Sequence, residues 1–183
     1  VFFLVWYLKR TGTEVFFLEK RTKKFVLAGV LGAVSVILSL TPLGLIPVPN
    51  LASYATTMHI PAIIGGIIGG PEVGALVGLI LAFSTLHLFA GNVLACVLPR
   101  LLIGVVAYYI WKWSGKKDWG VVLGSLGGTF INTIGVLGLM VVTGFFTWAQ
   151  VLPVFVLNGS LELVISGIIV LPLVRILRRV VKF

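Results

Sequence analysis

The chain has 183 residues, 59% hydrophobic and 10% charged, with a mean hydropathy of +1.17; so large an apolar excess cannot be hidden in a water-soluble core of this size and marks an integral membrane protein. The net charge of +9 comes from basic clusters beside apolar runs, which excludes a nucleic-acid surface in favour of the bias that orients membrane helices. The single cysteine, Cys96, excludes an intrachain disulfide and a cysteine metal site and is left a packing role.

At the usual ~20 residues per crossing the length accommodates about six spans. Residues 1–24 alternate apolar blocks with charges, and the block Val1-Phe2-Phe3-Leu4 recurs as Val15-Phe16-Phe17-Leu18. These runs are too short to span, so the segment is predicted to be an amphipathic interfacial helix on the cytoplasmic side. It lacks a small-residue cleavage site after a suitable apolar run, so a removable leader is not expected.

The remainder, 25–183, is predicted to be one all-α bundle of six transmembrane helices. Phe25 to Ile46 forms the first, and Ala28, Gly29, Gly32 and Ala33 on its inner half make two overlapping small-residue pairs at i, i+4. That spacing admits a second helix to backbone contact, either within the chain or from another subunit. Pro49 to Gly78 departs from a plain span, since Asn50, Tyr54, Thr56, Thr57 and His59 stand between Pro49 and Pro61 in apolar surroundings. Unsatisfied polar groups in hydrocarbon cost several kcal/mol, so this stretch is expected to be an irregular outer loop capping a cavity. A half-length helix, Ile60 to Gly70, and a turn at Pro71 follow.

Glu72 to Ala90, Leu94 to Trp113, Trp119 to Phe146 and Trp148 to Leu173 are the remaining spans. Asn92 lies in the corner before the fourth, and the fifth carries Gly120, Gly124, Gly128 and Asn132 at intervals of four. Basic residues crowd three places: 9–24, the Lys112 to Lys117 loop, and Arg175 to Lys182. Six crossings with both termini cytoplasmic place all three inside.

Counting 1.5 Å per helical residue, Arg100 lies a turn or two below the outer face, Asn158 deeper, and Asn132 and Glu162 near the middle. Asn158 and Glu162 share a face. Charged residues at such depth cost about 2.5 to 3.5 kcal/mol on insertion scales and require partners. Arg100 and Glu162 either neutralise one another or hold a small anionic or amide-bearing ligand. His59 reads either as a hydrogen-bonded spacer or as a cavity contact, and His87 as structural. The candidate binding residues are Asn50, Tyr54, His59, Asn92, Arg100, Asn132, Asn158 and Glu162. No zinc-hydrolase, nucleophile-elbow, phosphate-loop or acidic metal motif is present, and Ser160 has no base placed to activate it, so catalysis and cofactors are not expected.

The runs TTMHIPAIIGGIIGGPEVGALVG, LPRLLIG, FINTIGVLGL and NGSLELVISGIIV resemble the substrate-binding S components of energy-coupling factor (ECF) vitamin transporters over about 24–179, and look closest to the pantothenate-type branch. The resemblance implies a prokaryotic plasma-membrane protein that binds a vitamin or precursor at its outer side and docks on a transmembrane scaffold driven by two ATPase subunits. It also implies that the S component topples in the membrane to release its cargo. In such proteins an AxxxA pattern on the first helix forms the docking face; here the pattern is the variant Ala28 to Gly32 and Gly29 to Ala33. A scaffolding protein with a dry interior and a small intramembrane enzyme are the rival readings.

Overall fold

A computed structural model describes residues 2–49, 53–89 and 92–180, and the side chains of 21–49, 53–89 and 92–179. Six helices account for most of the chain: α1 Phe2–Leu40, α2 Ile60–Gly69, α3 Pro71–Thr85, α4 Val93–Trp113, α5 Asp118–Val142 and α6 Trp148–Val180. Five are long and apolar enough to cross a membrane, and α2, at 10 residues, is not. The interfacial N-terminal segment is not set off by a break: helix runs unbroken from Phe2 through residue 24 to Leu40.

Local chemistry sets most of the boundaries. Gly70 has φ +98, a conformation costly for residues with a Cβ, and lets α3 start at Pro71 directly after α2. Asn92 caps α4, its side chain accepting from Ala95 N at 3.1 Å. Thr147 and Gln150 make half of a capping box before α6, Thr147 N donating to Gln150 Oε1 at 2.9 Å. The predicted end of the fifth span at Phe146 moves back to Val142, because Gly144 at φ +78 reverses the chain while Phe145 N donates to Met140 O.

The loop after α1 is more regular than its composition suggests. Leu45–Pro47 (β1) and Tyr54–Thr56 (β2) pair antiparallel, Ile46 opposite Ala55. Ala55 of this hairpin is fully buried, and β2 lies against α6.

The arrangement is organised by α2, which packs against α1, α3, α4, α5 and α6 while these run beside one another in the order α1, α3, α4, α5, α6. Its residues Ile60 to Ile67 are all buried, an all-round burial that an amphipathic helix could not tolerate. Glycines permit the approach. A Cβ on Gly74 would stand 2.7 Å from Gly104 Cα and 2.8 Å from Gly66 Cα, so α2, α3 and α4 meet at backbone contact. Trp113, Trp119 and Trp148 are exposed at helix ends, while Trp111 packs under the Arg178 guanidinium at 4.6 Å.

Candidate functional site

The N-terminus of the short α2 stops well inside the bundle, and the space above it is a cavity of about 520 Å³. The hairpin, the ends of α3 and α5, the first turns of α6 and the middle of α4 enclose it. Its apolar wall includes Leu45, Leu81, Val136, Leu137, Met140 and Val154. Of the candidate residues, Tyr54, His59, Arg100, Asn132, Asn158 and Glu162 all line it. Asn50 lies outside the described residues.

Asn92 is not on the wall, contrary to expectation. Its carbonyl oxygen caps α4 and its amide donates to Thr143 Oγ1 at 2.7 Å, tying the start of α4 to the end of α5. A sequence shows a polar residue near a corner but not which backbone groups that residue will satisfy.

Glu162 binds the protein's own loop. Its Oε1 accepts from Thr56 N at 2.7 Å and from Thr56 Oγ1 at 2.9 Å, and its Oε2 from Thr133 Oγ1 at 3.0 Å. Three hydrogen bonds from β2 and α5 thus accommodate this carboxylate. One turn earlier on α6, Asn158 Nδ2 donates to the Tyr54 carbonyl oxygen at 2.8 Å. The i, i+4 pair thus grips two residues of β2 and holds the hairpin over the cavity.

Arg100 is 3% exposed, and its accommodation begins on its own helix. Pro99 removes one backbone donor from α4. The guanidinium turns back, Nη1 donating to Cys96 O at 2.7 Å and approaching Cys96 Sγ at 3.0 Å. Cys96 Sγ in turn donates to Ala82 O on α3 at 3.2 Å. The packing role expected for Cys96 thus extends to joining α3 with the buried cation.

His59 Nε2 lies 3.0 Å from Thr129 Oγ1, and Thr129 Oγ1 donates to Ser166 Oγ at 2.9 Å. Thr129, Thr133 and Ser166 were missed by sequence reasoning, because hydroxyls in a span commonly bond their own backbone, and Thr56, noted in the polar loop, was not counted among the candidate residues. A usable signal was their register: Thr129 and Thr133 flank Asn132 on one helical face, and Ser166 lies one turn after Glu162.

Of the small residues on α1, Ala28 and Gly32 face inward, where a Cβ on Gly32 would meet Ile80 of α3 at 2.5 Å. Gly29 and Ala33 are exposed, and a Cβ on Gly29 would meet nothing within 4 Å. The two overlapping pairs therefore divide, one closing the bundle and the other left on its surface. Among the described residues no cluster of three His, Cys, Asp or Glu could hold a metal ion.

No curated protein matches the chain. A family model described as "ECF transporter, substrate-specific component" matches residues 23–174, which takes in α1 from Lys23 onward, the hairpin, α2 to α5, and α6 as far as Val174. On that match this multi-helix membrane protein belongs to the family of substrate-specific components of ECF transporters, which are substrate-binding, non-catalytic subunits.

Proposed function

We propose that the cavity beneath the hairpin binds a water-soluble vitamin or vitamin precursor, with pantothenate the first choice, and that the protein delivers it through a partner scaffold and two ATPase subunits. The observation that carries this reading is the convergence of Arg100, Asn132, Asn158 and Glu162, from α4, α5 and α6, on one cavity of about 520 Å³. That volume lies within the range of small-molecule sites, and an apolar wall with a few convergent polar groups is their usual make-up. A carboxylate suits Arg100, hydroxyls and an amide suit the asparagines, and a gem-dimethyl group suits Leu81, Val136 and Val154. The alternative cargo is another small vitamin or precursor, such as a pyrimidine.

In this reading α2 counts as a sixth, short crossing, both termini are cytoplasmic, and the hairpin is on the outer face of a prokaryotic plasma membrane. Gly29 and Ala33 form the exposed part of the scaffold-docking face. Equilibrium binding to the purified chain, without ATP or partners, is the test. Pantothenate should bind at micromolar concentration or below, and failure of it and of every other vitamin in a panel removes the proposal. Replacing Arg100 with Ala should weaken an anionic vitamin about a hundredfold, as expected for loss of a buried charge-assisted pair, and a neutral one far less. Equal losses would remove the carboxylate assignment.

A further inference from the structure

His59 lines the cavity yet is only 1% exposed, and the hydrogen bonds behind it determine where its proton lies. Ser166 Oγ donates its one proton to the Leu163 carbonyl oxygen at 3.1 Å, so toward Thr129 it can only accept. Thr129 Oγ1 supplies that proton at 2.9 Å and, having no other, accepts from His59 Nε2 at 3.0 Å. The relay runs one way, from the imidazole through two hydroxyls to the backbone of α6. A neutral ring then carries its proton on Nε2 and leaves Nδ1 a bare acceptor. That Nδ1 is buried and has no protein partner.

Asn132 Oδ1 is in the same condition, buried and without a partner in a residue that lines the same cavity. The two α5 hydroxyls beside them are committed elsewhere: Thr129 to Ser166, and Thr133 to Glu162 Oε2 or the Thr129 carbonyl oxygen. His59 Nδ1 and Asn132 Oδ1 are thus two buried acceptors left without a hydrogen-bond partner, a condition that folded proteins seldom leave uncorrected.

We infer that the cargo supplies the missing donor: the side of the bound molecule seated against α2 and α5 carries a hydroxyl or N–H, and His59 Nδ1 accepts from it directly or through one bridging water. His59 is then a specificity-determining residue. It rejects a molecule that turns only acceptors inward, because the relay prevents the ring from presenting a proton there. The inference rests on the proposed binding role of the cavity and adds to it the hydrogen-bond polarity that the cargo must have.

The test uses the full chain labelled with ¹⁵N-histidine, the His87→Gln variant assigning the two histidines. Without ligand, His59 should show a protonated Nε2 and a bare Nδ1. Saturation with pantothenate, or with whichever vitamin of the panel binds, should move the Nδ1 resonance toward the hydrogen-bonded range and leave Nε2 in place. In binding measurements His59→Gln, which keeps a polar group near the Nε2 position, should weaken that vitamin about tenfold. His59→Asn, which restores an acceptor near Nδ1, should keep most of the affinity. A proton on Nδ1 in the free protein, or a vitamin that binds while the Nδ1 signal stays unchanged, overturns the inference and leaves the cavity's role intact. Absence of binding by every vitamin overturns the role itself.

Discussion

Glu162 shows how far a side chain's task can lie from what its position suggests. A carboxylate in a spanning helix is expected to meet a cation or a ligand, but the main-chain donor it receives, Thr56 N, is 106 residues away in sequence. Hydrogen bonds to charged groups are worth about 1.5 to 3 kcal/mol, and a buried donor left alone is costly. Glu162→Ala should therefore loosen the hairpin, with exchange of the Thr56 amide hydrogen accelerating roughly a hundredfold, equivalent to about 2.7 kcal/mol. Glu162→Gln keeps an acceptor and should give a smaller effect. Unchanged exchange at Thr56 in the alanine variant would remove Glu162 as the anchor of the hairpin. The shared face of Asn158 and Glu162 was legible because helical periodicity is local. Their partners were not, because pairing with β2 depends on how the whole loop folds back.

The helices differ in how much of their role local sequence carries. Small residues at i, i+4 on α1 announced close packing but not its direction, and the structure assigns one pair to each side. Gly32→Leu should force Ile80 aside and destabilise the fold by about 1 to 3 kcal/mol, read as a lowered Tm. Gly29→Leu has open space and should leave Tm and vitamin binding unchanged while preventing co-purification with the scaffold. Retained co-purification would move the docking face elsewhere. On α2 the constraint is tighter, because a Cβ on Gly66 would press on the Gly104 carbonyl of α4, where backbone cannot yield as a side chain can. Gly66→Ala should lower Tm more than Gly65→Ala, whose nearest neighbours are side-chain carbons at 3.4 Å. The half-length of α2 was legible from Pro61, the glycine pairs and Pro71. The β1–β2 ladder was not, since three-residue strands carry too little alternation to distinguish them from coil.

For the molecule as a whole, composition settled the membrane class, and the family match settles a substrate-binding subunit. The cavity's enclosure by parts of the chain far apart in sequence is a tertiary property that hydropathy does not contain. Ligand that binds only the folded state raises its stability, by about 2.7 kcal/mol at a hundred times Kd. A thermal-shift screen over vitamins should therefore give one strong, concentration-dependent rise in Tm, whereas a dry scaffolding protein would give none.

The packing around α2 constrains how cargo could leave. Below His59 the bundle is filled by Ile63, Ile67, Val73, Val77, Ile103, Val121, Val170 and Val174, each no more than 1% exposed. Interiors so filled transmit force but do not open a corridor without breaking many contacts at once. A solute seated under the hairpin therefore rests on a closed floor of aliphatic side chains, from which the bundle gives it no yielding path.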